Sequence, residues 1–160
     1  MPYPVIYRKR GARPMFTPPK LLKWDANVCY ICAKTSGLSE LPLYFWGTPQ
    51  GVYACWIVPD WAINHQGTLH QALVASLVDD AMGHAIYHLA HIATMTAELT
   101  VQPCRPIAYG MPVTVQGWVD RRRSRLFLAQ AHIVAANGEI LVKASGKFVP
   151  APASRQPSAD

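Results

Sequence analysis

Residues 70–91 contain no proline and are rich in Ala, Leu and Met, so they suit one long helix. At about 100° per residue, Val74, Val78, Ala81, Met82, Ala85 and Leu89 share one broad face, and Ser76, Asp80, Gly83, Tyr87 and His91 form the opposite stripe. The apolar arc exceeds half the circumference, so the helix must be largely enclosed by other structure. The chain has 160 residues, a length that suits one domain. Only 15% of them are charged, against roughly 25% in a typical soluble domain. A surface so short of charge predicts buried contacts between subunits.

The elements that enclose the helix are legible on both sides of it. From Leu41 to Val58 the chain is almost continuously apolar, broken by Gly47-Thr48-Pro49-Gln50-Gly51, which predicts a hairpin. Beyond the helix, Met95, Ala97, Leu99 and Val101 alternate with Thr94, Thr96, Glu98 and Thr100. That period of two predicts a half-buried strand, with Thr96 and Glu98 on one face. Strands are expected next at Val113–Asp120, Leu126–Ala135 and Ile140–Val149, the last two joined by Asn137-Gly138. The expected fold class is α+β, an antiparallel sheet of five to six strands wrapped around one long central helix. A single sheet leaves one side of the helix open, and a second copy would close it.

Charge is unevenly placed. Arg8, Lys9, Arg10, Arg13, Lys20 and Lys23 precede Trp24, whereas every acid follows it, so the formal net charge of +6 belongs to a leader and the body is neutral. A neutral body lacks the basic surface that nucleic acid requires. Prolines crowd into Met1–Pro19 and Pro150–Asp160, where missing N–H donors oppose helix and sheet. We expect a basic proline-rich arm at 1–23, a folded domain at 24–149 and a tail at 150–160. No uncharged apolar stretch approaches the length of a membrane span. The first residues lack the charge order and cleavage site of a secretory signal, so a cytoplasmic location is expected. Cys29 and Cys32 suit half a zinc site, a redox pair or a structural turn, and no second pair follows at finger spacing. His84, His88 and His91 have helical spacing without ordered carboxylate partners, so no metal is expected.

The segment from Asn64 to Gly83 contains His70-Gln71-Ala72 and Leu77-Val78-Asp79. It resembles the signature of hotdog-fold acyl-CoA thioesterases of the phenylacetate-degradation type: His-Gly-Gly, then an apolar helix bearing Leu-x-Asp, with the acid nine residues after the His. Cys29 and Cys32 with Gly37-Leu38, Cys104-Arg105-Pro106 with Gly110, and Gly138 to Phe148 extend the resemblance over roughly residues 29–149. It implies a hotdog fold, an acyl-CoA substrate and no cofactor. It also implies roles residue by residue. Asp79 would be the general base or the nucleophile, and the backbone N–H of Gln71 would polarise the thioester oxygen. Asn64 would orient water or substrate, and Thr96 would assist from the neighbouring strand.

Helix geometry adds a constraint. Asp79 lies eight residues after Gln71, about 12 Å along one helix, so the two cannot both reach one carbonyl within a subunit. A two-fold axis between antiparallel helices would bring one subunit's helix start to the other's carboxylate. We therefore expect a homodimer or a dimer of dimers. Asp80 lies in the polar stripe, whereas Asp79 sits beside the apolar arc, where burial should raise its pKa. His70 suits either a loop anchor or a proton carrier. Arg121, Arg122, Arg123 and Arg125 suit either a charged hairpin tip or a site for coenzyme A phosphates. The chain departs from Gly-Gly at Gln71-Ala72, where a Cβ could crowd the thioester or the amide could bind it. Two alternatives therefore stand beside hydrolysis: an acyl-CoA-binding protein without turnover, and an acyl-thioester dehydratase, although nine residues set His70 and Asp79 on opposite helix faces.

Overall fold

The computed structural model describes residues 43–152 and the backbone of Lys20–Leu21. Among these, seven strands form one antiparallel sheet: β1 (Lys20–Leu21), β2 (Trp46–Thr48), β3 (Gly51–Ile57), β4 (Thr94–Pro103), β5 (Pro112–Arg123), β6 (Leu126–Ala135) and β7 (Ile140–Pro150). One α-helix, α1 (Gln71–Ala90), joins β3 to β4. The order across the sheet is β1-β2-β3-β5-β6-β7-β4, so the helix carries the chain from the sheet's interior to its far edge. The expected architecture, one sheet around one helix, is the one observed. The sheet gains β1, two residues from the segment expected to be an arm, paired with Trp46 and Gly47. The rest of that arm, the Cys29 and Cys32 pair and residues 153–160 lie outside the described residues.

Both helix ends have local causes. His70 holds extended backbone, and its ring nitrogen Nδ1 accepts the N–H of Ala72, satisfying a donor that the first turn leaves orphaned. At the other end His91 takes a left-handed conformation and gives its N–H to the Tyr87 carbonyl. Val74, Leu77, Val78, Ala81, Met82, Ala85 and Ile86 are buried. They pack on the inward residues of the sheet, among them Val113, Val115, Phe127, Ala129, Ile133 and Phe148.

Two helix assignments need correction. Leu89, expected on the enclosed face, is 62% exposed, because it lies on the last turn, where Ile86 and His88 meet the protein instead. Asp80, expected in a solvated stripe, has a side chain only 14% exposed, with a carboxylate oxygen 3.7 Å from Nδ1 of the buried His84. The sheet reaches far enough around the middle of the helix to cover part of its polar stripe.

The hairpin expected before the helix forms with a shorter turn, Pro49 and Gln50, since Gly47 and Thr48 belong to β2. The Asn137-Gly138 hairpin forms as expected, with Gly138 at φ +85°.

Bulges account for the larger differences. In β4 the pairing shifts between Thr96, opposite Phe148, and Glu98, opposite Lys147, so Ala97 is an extra residue. In β5 it shifts between Val119, opposite Ala129, and Arg121, opposite Leu128, so Asp120 is extra. Each insertion exchanges the two faces of the strand beyond it. Glu98 therefore does not share a face with Thr96; it points outward and accepts a 2.7 Å bond from the Lys147 ammonium. Strand β4 is an edge strand among the described residues, and its second half matches the expected burial: Leu99 and Val101 pack against the core, whereas Met95, before the bulge, is 42% exposed. The arginines lie at the end of the hairpin as one of their two readings had it, but β5 runs three residues beyond the expected Asp120. Arg121, Arg122 and Arg123 complete β5, and the turn is Ser124 and Arg125.

Candidate active site

Asp79 and Thr96 are the polar pair that the fold brings together beside α1. Asp79 stands on the margin of the helix that faces the edge strand, half-buried, and the Thr96 hydroxyl donates to its carboxylate at 2.7 Å. The bulge at Ala97 makes this contact possible, since strict alternation would turn Thr96 outward. Burial pushes the Asp79 pKa above its ordinary value of 3.8, and the Thr96 hydrogen bond opposes part of that rise.

This direction carries a stability consequence. A carboxyl whose pKa is higher in the folded than in the unfolded chain stabilises most below the unfolded value, and that contribution is lost as pH rises through the folded value. Asp79→Asn is therefore expected to resist urea better than the parent at pH 7. The difference should vanish near pH 3. Equal midpoints at pH 7 would show that the carboxylate bears no burial cost.

The helix start is a separate region. Gln71 is the first helical residue, and its backbone N–H makes no hydrogen bond among the described residues. It lines a cleft of about 320 Å³ with Gln66, Thr68, Cys104, Arg105 and Ile107. The loop before it is held by Asn64, whose side-chain oxygen accepts the Gln66 N–H at 2.8 Å and whose amide donates to the Thr68 hydroxyl at 3.0 Å. The Leu69 N–H donates to the Ile107 carbonyl at 2.7 Å and the His70 N–H to the Ala62 carbonyl at 2.9 Å, which pins the entry to α1.

The sequence-derived residues thus fall into three places. Asp79 and Thr96 meet; Gln71, with Asn64 and His70 in the loop before it, forms the helix start; and the arginines lie at the end of the β5–β6 hairpin. His70 acts here as a helix cap, and Asn64 braces its own loop. Cleft residues Gln66, Thr68 and Arg105 were not assigned from the sequence, because only folding brings 66–71 beside 103–107. Arg105 pairs with Glu139, Nε to carboxylate 3.2 Å, at the rim of this region. Among the described residues no three His, Cys, Asp or Glu side chains cluster in a way that could hold a metal ion. No helix among them is long and apolar enough to cross a membrane.

Residues 66–142 match the sequence model of the thioesterase superfamily. None of the curated proteins matches the chain. Solved structures do. Zebra fish thioesterase superfamily member 2 is 19% identical, with a TM-score of 0.64 over 68% of this chain and 81% of its own. The PaaI protein from the phenylacetic acid degradation operon of E. coli is 19% identical, with a TM-score of 0.59 over 63% of this chain and 72% of its own. A hypothetical thioesterase protein of Streptococcus pneumoniae TIGR4, solved with coenzyme A, is 16% identical, with a TM-score of 0.62 over 68% of this chain and 85% of its own. Residues 66–142 are thus similar in sequence to the thioesterase superfamily, and the one long helix against its antiparallel sheet is the hotdog fold that these solved structures share.

Proposed function

We infer that the protein hydrolyses an acyl-CoA thioester, R-CO-S-CoA plus water giving a free acid and CoA-SH. The observation that carries this reading is the Asp79 carboxylate, half-buried with a raised pKa and oriented by Thr96 at 2.7 Å. A carboxylate so placed suits a general base that takes a proton from water as it attacks the thioester carbonyl, or a nucleophile that attacks directly. The oxygen that becomes negative needs donors already in position, and the N–H of Gln71, without a partner among the described residues at the positive end of α1, supplies one. The match of residues 66–142 to the thioesterase superfamily and the coenzyme A bound to the Streptococcus pneumoniae protein support the substrate class.

One subunit does not hold both groups within reach of one carbonyl. Two-fold pairing of subunits, with the helix start of one facing Asp79 of the other, is the arrangement that unites them. The long outer edge of β4, beside Thr96 and without a pairing strand among the described residues, offers backbone for such pairing. The direct test incubates the full chain with short, medium and aryl CoA thioesters and a thiol-reactive dye. Thiol release that disappears in Asp79→Ala and persists in Asp80→Asn is expected. Tight binding of a thioester without release would favour a binding protein, in which the Gln71 side chain lining the cleft obstructs attack.

A further inference from the structure

The two bulges lie at the same level of the sheet. Extra residue Ala97 in β4 precedes the Glu98–Lys147 pair, and extra residue Asp120 in β5 precedes the Arg121–Leu128 pair, while Leu128 and Lys147 face each other across β6 and β7. Each therefore turns one polar residue onto the helix-facing side in the next row. That row reads Thr96 opposite Phe148, Phe148 opposite Phe127, and Phe127 opposite Arg122. Without its bulge β5 would present Arg121 and Arg123 on this side; with it, both face outward and Arg122 alone of the strand's three arginines points inward. The Arg122 guanidinium lies 5.0 Å from the centre of the Phe127 ring and forms no ion pair among the described residues. Arg122 and Thr96 stand three strand spacings apart, roughly 14 Å.

We propose that Arg122 binds a phosphate of the CoA substrate whose thioester is hydrolysed at Asp79. This rests on the hydrolase reading for the position of the thioester. A long uncharged pantetheine arm separates thioester from phosphates, so a cation must stand away from the carboxylate but on the same face of the sheet. Arg122 meets that condition, and Phe127 holds its planar fork in place. Arg121 and Arg123 do not meet it, although they are chemically identical.

The test measures calorimetric affinity for CoA, 4′-phosphopantetheine and pantetheine, on the parent and on Arg121→Met, Arg122→Met and Arg123→Met. Methionine keeps hydrocarbon over Phe127, and a thermal melt checks that each variant folds. Arg122→Met should weaken CoA binding by about tenfold or more and leave pantetheine within about twofold, while the other two stay within about twofold for every ligand. Arg122→Lys should recover part of the loss. A loss shared by phosphopantetheine assigns the contact to the phosphate that CoA has in common with a carrier-protein arm. A loss confined to CoA assigns it to the nucleotide end, and either supports the proposal. No CoA binding by the parent, or equal losses in all three methionine variants, overturns it. If the hydrolase reading alone is wrong, thiol release will be missing from every thioester while CoA still binds through Arg122.

Discussion

Two variants that are each inactive by themselves, Asp79→Asn and Gln71→Pro, are expected to recover about half of the parental activity when their subunits share one dimer. Loss of the carboxylate removes the base or nucleophile, a general-base contribution of about 100- to 10,000-fold in rate. Loss of an oxyanion donor costs about 100- to 1,000-fold. Proline removes that donor with little disturbance. It is favoured at the first helical position, the Gln71 N–H has no partner to lose among the described residues, and His70 already holds φ −62° and ψ 133°, the extended backbone that a residue before proline prefers. In a mixed dimer one site combines the intact helix start of the Asp79→Asn subunit with the intact carboxylate of the Gln71→Pro subunit, and the other site carries both lesions. Mixed dimers carrying two affinity tags, assayed by thiol release, give the measurement. No recovery would mean that both groups act within one subunit, against the roughly 12 Å that separates them along α1.

Gly117→Ala is expected to destabilise the fold strongly, because it drives a methyl group into helix backbone. A Cβ at this position would lie 2.4 Å from the Ala81 carbonyl oxygen and 2.6 Å from its carbon. Both atoms are helix backbone, so no side-chain rotation relieves the overlap, and α1 as a whole must lift from β5. Overpacking of this kind costs about 1 to 3 kcal/mol, which lowers the melting temperature of a chain this size by roughly 2 to 12 °C. Activity should fall as well, because Asp79 lies two residues before Ala81 and would move away from Thr96. Thermal melts and thiol release together check this. An unchanged melting temperature would show that helix and sheet stand further apart than described.

Much of the fold was legible residue by residue. The proline-free run at 70–91 became α1, and Leu126–Ala135 became β6 with the same ends. The Asn137-Gly138 pair marked its hairpin correctly. The exchanged faces of β4 and β5 were not legible, nor was the burial of Asp80. Reading Glu98 beside Thr96 followed from unbroken alternation, and alternation fails wherever a strand carries one residue more than its neighbour.

Sequence by itself determined the helix, its neighbouring strands and their order along the chain, because periods of 3.6 and 2 are properties of a segment read alone. Tertiary structure alone decided that Thr96 meets Asp79, that Arg122 rather than Arg121 or Arg123 turns inward, and that residues 66–71 and 103–107 share a cleft. Each of those depends on which residue of one strand or loop lies opposite which residue of another, and pairing across the sheet is settled by the packing of the whole core.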